Sequence, residues 1–400
     1  MASSRTILIA GGGIGGLATA LALARNGFRV VVFEQSPRLE PIGAGIQLSP
    51  NAMHVLQGLG LTEALSPHVV PPENIRIRKA RNGADIVRIP LGLYAQQRYG
   101  APYWMIHRAD LQAVLVEAVR ANPDIVLRLG AKLQDYVVHA NGVTAQIRLG
   151  TEASEERCIG LIGADGLWST VRDKLGYTDA PHFRKRTAWR AVVPAERVSP
   201  EAREASINLW LGRHAHLVHY PIRAGADINI VAILRNDIRK PGWDNAGVRA
   251  DLVAVFRKWA IPAREIVEAP ESWTTWSLYD RPRLRHWGKG PVTMVGDAAH
   301  PMLPFLAQGA AMVIEDGAVL ADCLGRSPDD TAAGMRRYES LRNDRATRAQ
   351  KAAARNGVRY QASGVEAALR NTALRMMGGG ALLRRYDWLY NWRMTSRDPR

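Results

Sequence analysis

Cysteine is scarce in this chain: Cys158 and Cys323 are the two among 400 residues. They stand far apart, form no C-x-x-C pair and match no zinc-ligand spacing. That excludes a dithiol redox centre, suits a reducing compartment and leaves no metal site to expect. Low-complexity tracts and internal repeats are also missing, which removes solenoid and propeller architectures. Acidic side chains are the poorer charge class, 37 against 53 Lys and Arg, for a formal net charge of +16. Such a balance would admit a nucleic-acid binder. The arginines are spread along the chain, however, with clusters only at 184–190, 281–285 and the C-terminal tail, and no nucleic-acid motif accompanies them. The expectation is no nucleic-acid partner, and a basic surface that draws in small anions by long-range steering. An uninterrupted apolar run is the last absence. Residues 6–24 are uncharged, but Gly11, Gly12, Gly13, Gly15 and Gly16 sit among them, and glycine is a poor helix former. No membrane span, no cleaved leader and a cytoplasmic location are expected.

What the chain does hold is an ordinary globular composition, 47% apolar and 22% charged, at a length that suits two or three domains. Residues 6–10 read as a buried strand. Gly11-x-Gly13-x-x-Gly16 follows at once, then an Ala- and Leu-rich helix to residue 26, then a second strand at 29–33 with Glu34 at its end. Each part has a physical task. Gly11 makes the tight turn, Gly13 lets the backbone approach a pyrophosphate, and Gly16 lets helix and strand pack closely. The start of the helix, with Ile14 and Gly15, presents unpaired N–H groups and a positive dipole end to phosphate. Glu34 can accept hydrogen bonds from both ribose hydroxyls, and Gln35 beside it joins the cofactor-binding set. This unit alone does not separate FAD from NAD.

Two later segments repeat the theme of a strand that delivers an acidic residue to a turn. Gly-Ala-Asp-Gly at 163–166 places Asp165 before a helix, and Gly-Asp-Ala-Ala-His-Pro at 296–301 places Asp297 before the small residues at 307–311. Small residues there permit close approach to a flat ring, whose negative charge free N–H groups can stabilise. No second G-x-G-x-x-G unit follows a strand, and Gly378-Gly379-Gly380 reads as a helix break. One nucleotide-binding unit and no redox disulfide exclude the disulfide-reductase flavoproteins. They fit an enzyme that NADH or NADPH visits, leaving after hydride delivery.

With these three segments in order, the chain resembles the single-component FAD-dependent aromatic hydroxylases over essentially its whole length. The 3-hydroxybenzoate 6-hydroxylases and salicylate hydroxylases are the nearest in pattern. Residues 43–47, 103–111 and 386–389 support the resemblance. It implies FAD as cofactor, NAD(P)H and O₂ as co-substrates, and hydroxylation of a small phenolic aromatic acid through a flavin hydroperoxide. By the same resemblance Asp297 holds the ribityl chain, Arg108 lies near flavin and pyrophosphate, and the Leu133 backbone touches the adenosine side. Asp165 sits between FAD and the nicotinamide route. Ala307, Gln308, Gly309, Ala310 and Ala311 cradle the isoalloxazine ring. The chain departs from the pattern at Ala191, where many relatives carry Gly, and at Pro304, where the 3-hydroxybenzoate enzyme carries Gln. Pro304 and Gln47 are candidate pocket residues, Gln47 equally a brace for the flavin loop.

The expected fold is α/β: a Rossmann-like FAD-binding domain at 1–72, 104–180 and 288–350, interleaved with a strand-rich substrate domain at 73–103 and 181–287. A helical segment at 351–400 ends the chain. If residues 214–220 form one strand, His214, His216, Val218 and Tyr220 share a face. His216 and Tyr220 match the His-x-x-x-Tyr-Pro pattern of the resembled enzymes and are the candidate catalytic pair. A phenol attacks electrophilic oxygen better as it loses its proton, so a neutral histidine at bonding distance would serve as base, with Tyr220 orienting it or the phenol. His214 and His219 read as structural, and so does His300. Open alternatives are a monooxygenase of a heteroaromatic such as a hydroxynicotinate or urate-like purine, a flavin oxidase or dehydrogenase, and a non-catalytic FAD-binding regulator. A homodimer is among the expected assemblies.

Overall fold

The structure is a computed structural model that describes residues 5–39, 43–239, 242 and 244–394. The strand Thr6–Ala10 is apolar at every position after the first, so it has to lie inside a sheet covered on both faces. It pairs in parallel with Arg29–Glu34 on one side and Gly160–Gly163 on the other. Ile125–Leu129 and Val292–Met294 complete a five-stranded parallel sheet. Three adjacent strands of that sheet, ending at Ala10, Gly163 and Met294, therefore release their loops at one edge. That geometry gathers the three glycine-rich segments.

Packing beside this sheet depends on missing side chains. Gly11 holds φ +113°, and a Cβ on Gly16 would stand 1.9 Å from the Gly11 carbonyl oxygen. The helix Ile14–Arg25 lies against Gly309–Gly325, where a Cβ on Gly317 would meet the Cα of Thr19 at 2.9 Å.

A second sheet of eight strands stands apart. From one edge inward it runs Asn245–Gly247, Trp273–Asp280, His182–Pro194 and Asp227–Arg235. Ala215–Ile222, Ser206–Leu211, Asn74–Lys79 and Asp85–Pro90 follow. Most neighbours are antiparallel, and side chains alternate between a wall facing inward and a core on the reverse face. The register sets the inward rows. Ala188, Ile233, His216 and Leu211 form one; Arg190, Val231, Val218, Leu209 and Ile77 form the next; Val192, Asn229 and Tyr220 form a third. The strand begins at Ala215, one residue later than the sequence suggests. His214 is exposed at φ +58° in the turn and so leaves the shared face, while His216, Val218 and Tyr220 keep it.

Between the sheets, Gly45–Leu48 pairs with Trp104–His107. Helices Thr331–Tyr360 and Gly364–Arg384 close the remaining side, the latter interrupted at Gly378 with φ +70° and ψ +161°. Gly379 there approaches so closely that a Cβ would stand 1.8 Å from the Arg88 carbonyl oxygen, which explains the broken helix. Residues 1–4, 40–42, 240, 241, 243 and 395–400 of the segments expected from sequence lie outside the described residues. Thus the α/β class, the Rossmann-like parallel sheet and the helical C-terminal part agree with the sequence reading. Among the described residues no helix is long and apolar enough to cross a membrane.

Candidate active site

At the shared edge of the parallel sheet the helix Ile14–Arg25 begins at Gly13 without a side-chain cap, so its first N–H groups point outward unpaired. A Cβ on Gly13 would touch nothing, which leaves room for a ligand against the backbone. Glu34 sits beside this turn. Its Oε2 accepts from the Gly12 N–H at 2.8 Å and its Oε1 from the Ser36 N–H at 2.8 Å. Each oxygen retains a second lone pair for a ribose hydroxyl. Gln35 is exposed next to it, and Leu133 is buried at a register shift of the small sheet 131–158. Asp165 accepts from the Val171 N–H at 3.1 Å, while its Oδ1 is enclosed without a partner; burial pushes the carboxyl up.

The third segment is held from behind by buried charge. Asp316 accepts from the Gly296 N–H at 3.0 Å, from His300 Nε2 at 2.6 Å and from Arg342 Nε at 2.8 Å. Burial alone would raise that carboxyl, but His300 and Arg342 bring it down to about 2. Glu315 next to it binds Arg342, Arg345 and Asn51. Gln308 belongs to this scaffold: its Nε2 donates to Ser49 Oγ at 2.8 Å and its Oε1 accepts from Asn51 at 3.1 Å. Its side chain thus braces the helix start, while Ala307, Gly309 and Ala310 line the cavity and Ala311 packs into the core behind. A Cβ on Gly309 would meet nothing, and Gly309–Gly325 also lacks a side-chain cap. Asp297 lies deep in the protein but is exposed to the open space of the cavity. That depth pushes its carboxyl up against the opposing pull of His300 and Arg108. Arg108 feels both Asp297 and Glu34, so it stands between the two ends of the binding edge. Open glycines, two uncapped helix starts and an orphaned carboxylate oxygen fit the pyrophosphate, ribityl and ring parts of FAD.

From this edge a cavity of about 830 Å³ reaches the inward wall of the large sheet. His216 and Tyr220 both line it, as do Gln47 and Pro304. His216 is 2% exposed, its ring 5.4 Å from those of Phe305 and Tyr360, and its Nδ1 has no partner. Burial, helped by Arg186, brings its pKa down to about 3, so the imidazole is neutral across the working range. Burial raises the Tyr220 phenol instead. Gln47 links the two tyrosines of the wall: its Oε1 accepts from Tyr103 at 2.7 Å, and it also reaches Tyr220. Gly45 makes this approach possible, since a Cβ there would stand 2.6 Å from the Tyr220 ring. His219 faces the other side, stacked on Trp210, and His300 is tied to Asp316, both in structural positions.

Several lining residues escape sequence reading. Tyr103 and Arg190 fall inside motifs the sequence draws attention to, yet nothing there says that they face the pocket. Phe305 follows Pro304 and could have been found by its neighbour. Trp276 and Tyr360 carry no local signal, because the sheet register and the packing of a distant helix bring them in.

A parallel sheet that delivers three phosphate- and ring-binding segments to one edge, facing an enclosed apolar wall, defines an FAD-binding enzyme class. A family model described as FAD binding domain matches residues 4–356. The chain is 35% identical over 393 residues to the 3-hydroxybenzoate 6-hydroxylase of Klebsiella oxytoca, covering 98% of each. It is 38% identical to 3-hydroxybenzoate 6-hydroxylase 1 of Aquipseudomonas alcaligenes, covering 96% of each. A solved salicylate hydroxylase substrate complex superposes with a TM-score of 0.81 at 26% identity, covering 98% of this chain and 96% of the other. The chain belongs to the family of single-component FAD-dependent aromatic hydroxylases.

Proposed function

We propose that this chain hydroxylates a small phenolic aromatic acid with NAD(P)H and O₂, at the cavity between the FAD edge and the strand Ala215–Ile222. The observation that carries the reading is that His216 and Tyr220 face the three FAD segments across one enclosed apolar space. The likeness to 3-hydroxybenzoate 6-hydroxylases supports that substrate class. FAD, when bound, supplies the chemistry that takes hydride from NAD(P)H and activates O₂. The chain's own residues bind, orient and exclude water. Glu34 takes the adenosine ribose, with Gln35 and Leu133 on that side, and Arg108 takes the pyrophosphate. Asp297 takes ribityl hydroxyls, Asp165 flanks the nicotinamide route, and residues 307–311 take the ring. His216, held neutral, accepts the phenol proton. Its low basicity in the empty pocket rises when an anionic ring lies beside it, since a negative neighbour favours imidazolium. Tyr220 and Gln47 orient the phenol oxygen, and Pro304 shapes the ring's edge.

The test is oxygen uptake by the FAD-loaded protein with NADH or NADPH, with and without 3-hydroxybenzoate or salicylate, followed by product identification. Substrate-stimulated uptake with a hydroxylated product is expected; uptake that yields hydrogen peroxide alone would make the protein an oxidase. The reading includes the interleaved domains at 1–72, 104–180 and 288–350 against 73–103 and 181–287. It also includes a cytoplasmic setting, in keeping with free Cys158 and Cys323, and a homodimer that sedimentation would reveal.

A further inference from the structure

We propose that Arg223 is a positioning residue for the hydroxylation step, latching the strand of His216 and Tyr220 to the helix start that carries Arg108. The proposal rests on the hydroxylase reading above and adds what holds the two sides of the cavity at working distance. Arg223 follows directly on the strand Ala215–Ile222. Its guanidinium crosses from the large sheet to the helix Arg108–Arg120, which packs beside the parallel sheet. Nε donates to Asp110 Oδ2 at 3.4 Å, Nη1 to Asp227 Oδ2 at 3.0 Å, and Nη2 meets His107 Nδ1 at 3.5 Å.

His107 is the joint on the cofactor side. It is buried, and its Nδ1 also accepts from the Ala109 N–H at 3.2 Å, capping the helix. Two donors at Nδ1 leave the ring proton on Nε2, and the ring also bonds the Gly43 backbone. Gly43 and Arg108 both line the cavity. One imidazole therefore ties the loop at 43–47 to the start of the helix, and Arg223 ties both to the wall. A second tie lies on the neighbouring strand: Asn229 Oδ1 accepts from the Gly45 N–H at 2.7 Å, in the row of Tyr220.

The turn after Ile222 runs against local preference to make this contact. Arg223, Ala224 and Gly225 hold φ of +51°, +54° and +92°. Hairpin turns of that hand favour Asn, Asp or Gly, so an arginine and an alanine there are strained. Strain of this kind persists where the surroundings over-determine it. Here those surroundings are Asp110, Asp227 and His107. The Arg223 side chain is 41% exposed, and ion pairs so exposed add little stability. An ångström of misplacement at a reacting centre is felt far more strongly. Placement is thus the larger effect of the latch.

The test compares FAD-loaded wild type, Arg223→Gln, Arg223→Lys and Asp110→Ala with 3-hydroxybenzoate at saturation. The ratio of hydroxylated product to hydrogen peroxide is measured beside KM for the acid. Arg223→Gln should keep its FAD and its KM but hydroxylate roughly 10- to 100-fold more slowly, the range of an ångström-scale misplacement, with peroxide rising to match. Arg223→Lys, which still reaches one carboxylate, should recover part of the ratio. Asp110→Ala should show a milder defect, and adding it to Arg223→Gln should worsen nothing, because one contact cannot be lost twice. Amide hydrogen exchange gives a reading apart from activity: in Arg223→Gln it should quicken at residues 43–47 as well as at the end of Ala215–Ile222. Ala224→Gly relaxes the turn with the guanidinium in place and should leave the ratio unchanged. An unchanged ratio or unchanged exchange in Arg223→Gln overturns the latch, as do additive defects in the double variant. Loss of FAD in Arg223→Gln would assign the residue to cofactor binding, and an equal defect in Ala224→Gly would assign the effect to the turn's stiffness; either overturns it as well. The hydroxylase reading survives all of these while wild type makes product. Absence of product from wild type sinks both.

Discussion

A single imidazole illustrates how the surroundings set a residue's chemistry. His216 has an aromatic ring on two sides and a cation nearby, so its pKa falls to about 3, well below the free value. In the substrate-free protein its ring resonances should therefore not titrate between about pH 5 and pH 8, the range where a solvated histidine does. An NMR titration that found a midpoint near 6.5 would show that water reaches the ring. Replacing it separates binding from chemistry. His216→Ala should keep FAD and still accept hydride, but hydroxylate on the order of 10²-fold more slowly, with NAD(P)H consumption diverted to hydrogen peroxide. Tyr220→Phe should show a milder form. The ratio of hydroxylated product to peroxide decides; if it is unchanged in His216→Ala, the residue is structural. Asp297→Ala should weaken FAD by roughly 10- to 100-fold, the worth of one charged acceptor at about 1.5–3 kcal/mol. Retention of FAD at wild-type affinity after gel filtration would contradict the placement of that carboxylate.

The helix Gly309–Gly325 shows what an element adds to a motif. From sequence its small residues can be read as a ring cradle, and the structure adds the reason it stays in place: two consecutive acids, Glu315 and Asp316, buried against Arg342. Nothing local announces this, because Arg342 comes from another helix and the three meet only after folding. Arg342→Met removes the guanidinium shared by two buried carboxylates, leaving Glu315 with Arg345 and Asp316 with His300, and should cost about 3 kcal/mol, visible as a lowered thermal midpoint. The acid side follows from Asp316. Its folded pKa lies below the unfolded value near 3.9, so its contribution is present above about pH 4 and is lost as pH falls toward about 2. Denaturation midpoints measured down that window should fall more steeply in wild type than in Asp316→Asn. The strands were legible to within a residue or so, since buried runs such as residues 6–10 and 29–33 leave little choice. The limits blurred where a turn decides, as at His214, whose positive φ starts the strand one residue late.

At the scale of the whole molecule, the excess of positive charge acts on traffic, not on the fold. An aromatic acid and NAD(P)H are both anions, and a chain of formal charge +16 attracts both over distances that salt shortens. Raising ionic strength should raise KM for the anionic ligand while kcat changes little; equal sensitivity for a neutral phenol would point to some other salt effect. The cofactor edge was legible because its residues are close in sequence and each glycine answers a local need. The substrate wall was only half legible. His216 and Tyr220 share one strand, but Arg190, Trp276 and Tyr360 come from elements whose meeting depends on sheet order and helix packing.

That wall has a consequence for divergence within such a fold. Along Ala215–Ile222 the even positions His216, Val218 and Tyr220 look into the cavity, while Leu217 and His219 look the other way. In Asp227–Arg235 the parity reverses: Val231 and Ile233 line the cavity, and Ile228, Ile230 and Ala232 build the opposite core. Every strand thus sorts its residues into two hereditary classes by the oddness of their number. Drift in one class retunes which ring fits, drift in the other tests whether the chain folds, and a one-residue insertion inside a strand would exchange the two.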